Sequence, residues 1–338
     1  MKISDLLDFM VRNNASDLHI SSGDMPILRI NGDIKRINVD RLSSEEATKI
    51  IYDTMSEKLR RKFEETLELD FAYEVEGIGR FRVNVFMQKR GISAVFRSIS
   101  TEIKSLSDLN APEVLKKIAL TENGLVLVTG PTGSGKSTTL AAMIDYINTN
   151  RPSHILTIED PIEFVHPHKK SLISQRELET HTFSFNNALK AALRENPDVI
   201  LVGELRDIET IRLAMTAAET GHLVMGTLHT VSAAKTIDRI IDIFPAEEKS
   251  VTRTILSESI KAVISQKLIK NKAMSGMVSA QEILIGTSAV KNLIRESKVS
   301  QIIGAMQVGQ QYGMQTMDQA IDSLMESGVI SQQSLSES

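Results

Sequence analysis

A glycine-rich loop between a strand pattern and a helix pattern constrains the fold of this chain more than any other feature. Residues 124–129 are mostly apolar, residues 130–138 read GPTGSGKST, and a helical pattern of apolar residues then continues to Ile144. A short, continuously apolar strand that leads through glycines into a helix is typical of a parallel sheet covered by helices. The segment therefore predicts an α/β domain built around a strand–loop–helix unit.

Strand and helix patterns continue to alternate after this loop. Strand patterns cover 154–160, 199–204 and 222–229, and helix patterns follow the first two of them. This alternation predicts further βα units of the same parallel sheet. From about Ala246 the pattern is mostly helical, and the polar residues 331–338 predict a flexible tail.

The first part of the chain has a different pattern, which predicts a small α+β domain over residues 1–97. A helix is expected over 3–12, and Asn31-Gly32 between two strand patterns predicts a hairpin. Ser43 and Glu46 have the spacing of a capping box at a helix start. The polar, turn-rich residues 98–112 are interpreted as a linker, and residues 113–330 as the α/β domain.

Composition excludes several classes of protein. The 338 residues carry a formal net charge of -4 and contain no cysteine, which excludes disulfides and thiolate zinc sites. The charge balance does not favour a dedicated nucleic-acid binder. No apolar run approaches the roughly 20 residues that span a bilayer, so we expect a cytoplasmic protein.

The loop itself fits the phosphate-binding pattern G-x-x-x-x-G-K-[ST]. Glycines let backbone N–H groups turn toward phosphates, and the start of the following helix favours an anion. We therefore expect ATP and Mg²⁺ as ligands, with Lys136 at the β- and γ-phosphates and the Ser137 hydroxyl on Mg²⁺. The predicted nucleotide-binding residues are Gly130, Pro131, Thr132, Gly133, Ser134, Gly135, Lys136, Ser137 and Thr138.

Two acidic segments follow predicted strands and are candidates for the rest of the site. In residues 199–207, VILVGELRD, an apolar strand leads to Glu204, which could hold Mg²⁺ directly or through water. In residues 157–166, TIEDPIEFVH, one of Glu159, Asp160 and Glu163 could orient and deprotonate a water molecule. A solvated glutamate at a strand end and an exposed acidic turn would give the same patterns.

Histidines and arginines supply further candidates. His222 and His229 flank the strand pattern in GHLVMGTLHT, where a histidine could sense the γ-phosphate or simply pack in the structure. An arginine can reach the γ-phosphate of a neighbouring subunit. The arginines considered for this role are Arg80, Arg82, Arg97, Arg194, Arg206 and Arg239.

In this order the motifs resemble one family, the secretion ATPases of type IV pilus and type II secretion systems, and most closely the pilus retraction motors. The similar segments cover nearly the whole chain: ASDLHI (15–20), GPTGSGKST, TIEDPIEF, VGELRDIETIRLAMTAAETGHLVMGTLHT, AAKTIDRIIDIFPAEEK (233–249), SAVKNLIRE (288–296) and GMQTMDQ (313–319). The resemblance implies a PAS-like N-terminal domain, a RecA-like P-loop ATPase domain and a ring of six chains with ATP near subunit boundaries.

The resemblance also implies roles for particular residues. Glu163 would activate water, and Glu204 would lie near Mg²⁺ as an atypical Walker B acid. His222 and His229 would belong to the family's His box. Arg82 and Arg97 would reach toward a nucleotide.

Two features favour a retraction motor over the family's other members. Extension ATPases carry a tetracysteine zinc motif, and this chain has no cysteine. Retraction ATPases carry a C-terminal AIRNLIRE box, and residues 289–296 read AVKNLIRE, with Lys291 in place of the planar arginine fork.

The leading hypothesis is therefore a hexameric motor that hydrolyses ATP to disassemble pili, peripherally docked on an inner-membrane platform protein. The alternatives are an accessory paralogue, an extension or type II secretion ATPase, a RecA-like DNA translocase, and a ring scaffold that barely hydrolyses ATP. We expect no nucleic-acid partner.

Overall fold

The computed structural model describes residues 2–30, 32–99, 102–274 and 276–336. The chain divides into two compact units, Met1–Glu102 and Ile103–Ser338. The division falls within the segment 98–112 that the sequence suggests as a linker, although Ser98 and Ile99 still belong to a strand. Within the described residues no helix is both long and apolar enough to cross a membrane.

The first unit contains one antiparallel sheet with strand order β3-β2-β1-β6-β5-β4. Phe81, Val83 and Val85 of β5 are buried, whereas the alternate residues of that strand point to the other sheet face. The buried side chains pack with apolar residues of three helices. The elements are α1 (Ile3–Arg12), β1 (Asp17–Ser21), β2 (Ile27–Ile30), β3 (Asp33–Arg36), α2 (Ser44–Tyr52), α3 (Glu57–Thr66), β4 (Glu68–Val75), β5 (Gly79–Gln88) and β6 (Gly91–Ile99).

Local sequence signals in this unit are reproduced in the structure. β2 and β3 pair antiparallel with Ile30 opposite Asp33, although Asn31 of the expected hairpin turn lies outside the described residues. The capping box is confirmed, because Ser43 Oγ accepts from the Glu46 N–H at 3.2 Å and Glu46 Oε2 accepts from the Ser43 N–H at 2.8 Å. The sequence patterns described above do not predict helix α3.

The second unit contains a seven-stranded sheet with strand order β13-β12-β7-β11-β10-β8-β9. Six of these strands run parallel to one another, namely β12, β7, β11, β10, β8 and β9, whereas β13 pairs antiparallel with β12. The predicted parallel sheet is therefore confirmed. The elements are α4 (Val114–Ala119), β7 (Gly124–Thr129), α5 (Lys136–Asn150), β8 (His154–Glu159), β9 (Leu172–Glu177), α6 (Phe185–Ala192), β10 (Val199–Val202), α7 (Ile208–Glu219), β11 (Leu223–Leu228), α8 (Ala233–Asp242), α9 (Lys249–Ser259), β12 (Ile260–Lys270), β13 (Met277–Ile285), α10 (Ser288–Arg295), α11 (Ile302–Gln307), α12 (Met317–Glu326) and α13 (Gln332–Ser336).

Both faces of this sheet are buried. Leu125 and Leu127 of β7 pack into one apolar cluster, with side chains of α6 to α9, whereas Val126 and Val128 pack into another with side chains of α4 and α5. Burial on two faces explains why the strand reads as a continuous apolar run rather than an alternating one.

The C-terminal part corrects two expectations. The region after Ala246 is not helical throughout, because β12 and β13 form there between its helices. β12 lies between β7 and β13, and an apolar segment buried in this way cannot be distinguished from a buried helix by periodicity. The predicted flexible tail instead contains helix α13, in which Ser334 is buried; residues 337–338 lie outside the described residues.

Candidate active site

The parallel strands of the second unit bring most of the predicted site residues to one edge of the sheet. Gly130 follows β7, Glu159 ends β8, Glu204 lies two residues beyond β10, and His229 follows β11. These strands are neighbours in register, so their carboxyl ends meet at the same edge. Ligands of open parallel sheets bind at this edge.

His222 lies at the opposite edge of the sheet from these residues of the same chain. It precedes β11, so the six residues of that strand, or roughly 20 Å at the usual rise, separate it from the edge that carries His229. Its Nδ1 atom lies 3.0 Å from the Ala217 carbonyl oxygen at the end of α7. A motif that spans a whole strand necessarily places its two histidines at opposite edges of the sheet.

The phosphate-binding loop has a backbone that requires glycine at its start. Gly130 has φ 143°, and a Cβ atom there would overlap the Gln266 carbonyl oxygen of β12. Gly135 is the N-cap of α5, with φ 84°. Because α5 begins at Lys136, its first N–H groups have no partners within the helix. The loop therefore has the geometry of an anion site.

Lys136 lies folded back onto this loop. Its Nζ atom donates to the carbonyl oxygens of Gly130 at 2.8 Å and Pro131 at 3.0 Å. Burial lowers the pKa of Lys136, and the negative charges of Glu204 and Glu163 oppose that shift. The ammonium group thus lies within the electrostatic field of both predicted catalytic carboxylates, where phosphate oxygens could replace the two carbonyls as acceptors.

Glu204 has two cationic or potentially cationic partners. Its Oε2 atom lies 2.7 Å from Arg206 Nη2, and its Oε1 atom lies 3.2 Å from His229 Nε2. Burial alone would raise the pKa of Glu204, but the hydrogen bonds and charges of Arg206 and His229 hold that pKa below its usual value. A cavity of about 310 Å³ opens beside this group, and Arg239 of α8 also lines it. The Glu204 carboxylate is therefore ionised near neutral pH, with one oxygen paired to Arg206 and the other to His229.

Glu163 is half-buried in the segment between β8 and β9. Its backbone N–H donates to the Glu159 carboxylate, and the neighbouring Ile162 N–H donates to Glu177 Oε2 at 3.0 Å. Its charge acts on Lys136, as described above. Asp160 in the same turn is exposed, and its charge acts on Arg206. The main chain around Glu163 is therefore fixed independently of the Glu163 side chain.

Glu159 organises this acidic segment in a way that the sequence did not indicate. Its Oε1 atom accepts from Thr157 Oγ1 at 2.6 Å and from Gln175 Nε2 at 3.3 Å. Gln175 also donates to the Phe164 carbonyl and accepts from the His166 N–H, both at 2.8 Å. Gln175 lies on β9, a strand that no local sequence pattern indicates.

The enclosed carboxyl group of Glu159 makes stability depend on pH. Burial raises the pKa of Glu159 to about 7, from 4.5 in the unfolded chain. Between these two pH values the folded state holds a proton that the unfolded state has lost. The contribution of Glu159 to the free energy of unfolding is therefore complete below pH 4.5 and disappears as the pH rises to about 7. The lost free energy of unfolding is at most about 3 kcal/mol.

We therefore expect Glu159→Gln to unfold at a higher temperature than the unmodified chain at pH 8, with the difference shrinking toward pH 5. Calorimetric melting of both nucleotide-free proteins between pH 5 and pH 8 measures this difference in unfolding temperature. Glu219→Gln, at the exposed end of α7, is the control and should show no such trend. A difference between Glu159→Gln and the unmodified chain that is independent of pH would contradict the protonated state.

Arg82 and Arg97 belong to the first unit and lie directly opposite each other on β5 and β6. Arg97 Nε lies 2.8 Å from Asp17 Oδ1, and Arg82 Nε lies 3.7 Å from Asp70 Oδ1. The Arg97 side chain is 69% exposed and the Arg82 side chain is 47% exposed, so both guanidinium groups are accessible on one face of that sheet.

The C-terminal box contacts the end of α9. Lys291 Nζ donates to the Glu258 main-chain oxygen at 2.9 Å, and Arg295 Nη2 lies 2.7 Å from Glu258 Oε1. A single carbonyl acceptor does not require the planar fork of an arginine, so lysine suffices for the contact made at position 291.

A phosphate-binding loop between a parallel strand and a helix, with an acid after another strand of the same parallel sheet, defines the class of P-loop ATPases. Within it, the family model described as "Type II/IV secretion system protein" matches residues 2–334. The chain belongs to this family.

Individual relatives are similar over nearly the full length. The chain is 57% identical over 337 residues to the type IV pilus retraction ATPase PilT of Pseudomonas aeruginosa, covering 100% of this chain and 98% of that protein. It is 57% identical over 321 residues to a twitching motility protein of Neisseria gonorrhoeae, covering 93% and 86%. A crystal structure of the pilus retraction motor PilT with bound ADP superposes with a TM-score of 0.93 at 47% identity, covering 100% and 96% of the two chains.

Proposed function

We propose that this chain is a motor ATPase that hydrolyses ATP to drive type IV pilus retraction. The observation that carries the proposal is the meeting of Lys136, Glu163 and Glu204 at the carboxyl edge of one parallel sheet. Identity of 57% across the whole chain to a retraction ATPase supports the assignment of the cellular process.

The loop Gly130–Thr138 would bind the phosphates of ATP, with Lys136 at the β- and γ-phosphates. The Ser137 hydroxyl and the Glu204 carboxylate are oxygen donors suited to Mg²⁺. The described residues contain no cluster of three or more His, Asp or Glu side chains that could hold a metal alone. Bound Mg²⁺ would neutralise charge on the transferred phosphoryl group.

Glu163 would be the base that orients and deprotonates the attacking water. Its backbone N–H is held by the Glu159 carboxylate and its charge acts on Lys136, which supports a place for Glu163 beside the γ-phosphate that Lys136 would bind. His229 would report on the state of that phosphate, because it hydrogen-bonds to Glu204. His222 would act only from another position in an assembly.

We further propose a PAS-like fold for the first unit, a RecA-like fold for the second, and a ring of six chains that docks from the cytoplasm on an inner-membrane platform protein of the pilus machine. In such a ring, Arg82 and Arg97 would reach toward a nucleotide. The exposure of both guanidinium groups on one sheet face supports this role.

Retraction is testable in source cells that lack this chain. Without it we expect many surface pili that do not retract, and we expect rescue by the unmodified chain but not by Lys136→Ala, which removes the phosphate-binding cation. Lys117→Ala, an exposed lysine of α4, is the matched control and should rescue. Pilus counts and imaging of filament retraction measure both outcomes.

Other outcomes would identify other functions. Cells without pili would mean that the chain drives extension. Normal pili with normal retraction would mean an accessory paralogue. Strong stimulation of ATP hydrolysis by single-stranded DNA, lost at high salt, would favour a DNA translocase.

A further inference from the structure

Gln266 of β12 lies beside the phosphate-binding loop, although it is far from that loop in the sequence. Ser265 pairs with Thr129, the last residue of β7, so Gln266 is the first residue beyond the paired segment. Its side chain is 1% exposed. A buried amide is costly unless its donors and acceptors are satisfied, which makes its partners informative.

The Gln266 side chain bridges the loop and the helix that follows it. Its Nε2 atom donates to the Ser134 carbonyl oxygen at 2.6 Å, and its Oε1 atom accepts from Thr139 Oγ1 at 3.0 Å. Ser134 lies in the middle of the loop, and Thr139 lies in the first turn of α5. One side chain therefore fixes the curvature of the loop relative to the helix start.

The backbone of Gln266 constrains the beginning of the same loop. Its carbonyl oxygen occupies the space that a Cβ atom at Gly130 would need, and its Nε2 atom lies 3.2 Å from the corresponding position at Gly135. Gln266 thus touches the start, the middle and the end of the segment whose N–H groups would bind phosphate.

We propose that Gln266 is a positioning residue for the phosphates of the bound nucleotide, acting through Ser134 and Thr139. It holds the loop curled before the nucleotide arrives, so that binding does not have to order the loop. Without the amide, the Ser134 carbonyl loses a buried donor and the loop relaxes. This inference rests on the proposed function, because it assumes that the loop binds a nucleotide.

Gln266→Met tests the proposal, because methionine has a similar length but neither donor nor amide acceptor. We expect the Kd for ADP and the KM for ATP to rise about 10-fold, with kcat changed less than about threefold. Calorimetric titration with ADP and steady-state hydrolysis measure the two quantities. Melting of the nucleotide-free variant, measured alongside, reports any general loss of stability.

Gln281→Met is the matched control. Gln281 lies directly opposite Gln266 on β13, is 3% exposed, and its side-chain oxygen has no hydrogen-bond partner among the described residues. The control changes the same residue type in the same sheet without touching the loop. Gln281→Met should bind ADP as tightly as the unmodified chain does. An equal weakening of ADP binding in Gln266→Met and Gln281→Met would mean that Gln266 only contributes to general packing, and would overturn the proposal.

Thr139→Val supplies a second route that does not alter β12. It removes the hydroxyl that donates to Gln266, and we expect the Kd for ADP to rise about threefold. Adding it to Gln266→Met should weaken binding no further, because the contact is already lost. If Gln266→Met does not fold, Thr139→Val decides, and an unchanged Kd in that variant would overturn the proposal.

The remaining outcomes separate this proposal from the proposed function. If the unmodified chain binds no ADP, the proposed function fails and this inference fails with it. If the unmodified chain binds ADP and Gln266→Met binds it equally well, or if kcat falls while KM is unchanged, only the role of Gln266 is wrong.

Discussion

Replacing Glu163 with glutamine is expected to lower kcat for ATP hydrolysis by about 100- to 10,000-fold, while the Kd for ATP stays within a few-fold of the unmodified value. Glutamine has nearly the same size but cannot take a proton from water. The backbone N–H that anchors position 163 to Glu159 is unchanged by the substitution, so the segment keeps its shape. Loss of one negative charge near Lys136 would not weaken phosphate binding.

Asp160→Asn is the matched control for this experiment. Asp160 lies three residues before Glu163 in the same turn and is exposed, with a charge that acts on Arg206. We expect its kcat to remain within about threefold of the unmodified value, as for other exposed charges. If Glu163→Gln hydrolysed ATP at the normal rate and Asp160→Asn did not, the two carboxylates would have to exchange roles.

Replacing Glu204 with glutamine is expected to lower kcat by about 100- to 1,000-fold and to remove the effect of Mg²⁺ on nucleotide binding. The carboxylate is ionised in the folded chain, since Arg206 and His229 hold its pKa low, and an amide oxygen is a poorer ligand for a hard cation. Titration of ADP with and without Mg²⁺ measures the second effect independently of turnover.

Glu248→Gln is the control for this substitution. Glu248 also pairs with an arginine, Arg212 at 2.6 Å, but it lies at the start of α9. Its replacement should leave both kcat and the Mg²⁺ effect unchanged. Equal tightening of ADP binding by Mg²⁺ in Glu204→Gln and the unmodified chain would exclude Glu204 as a metal-binding residue.

The edge of the sheet that carries Lys136, Glu204 and His229 could be predicted because its residues are encoded locally. Each follows an apolar run that is short enough to be a strand, and the alternation of strands with helices implies parallel pairing. Parallel strands end at a common edge, so three separate segments of sequence predict one cluster. The capping box at Ser43 was predictable for the same reason, since all its contacts lie within three residues.

The remaining features depend on contacts between residues distant in sequence. Gln266 meets Ser134 across 132 residues, and its strand reads equally well as a buried helix. Gln175 orders the Glu163 segment from a strand that has no clear pattern of its own. The separation of His222 from His229 needed the strand direction, which the motif GHLVMGTLHT does not state.

β12 also forms a mechanical connection between the C-terminal box and the phosphate-binding loop. Lys291 and Arg295 hold Glu258, two residues before β12 begins, and the same strand ends its paired segment with β7 beside the phosphate-binding loop. The pairing of β12 with β7 has a register shift between Ile260 and Ala262. From Ala262 onward the strand is extended, at about 3.3 Å per residue, and is therefore already close to the greatest length that its backbone allows. A pull on the C-terminal box would therefore be transmitted along this part of β12 to the loop with little change in the length of the strand.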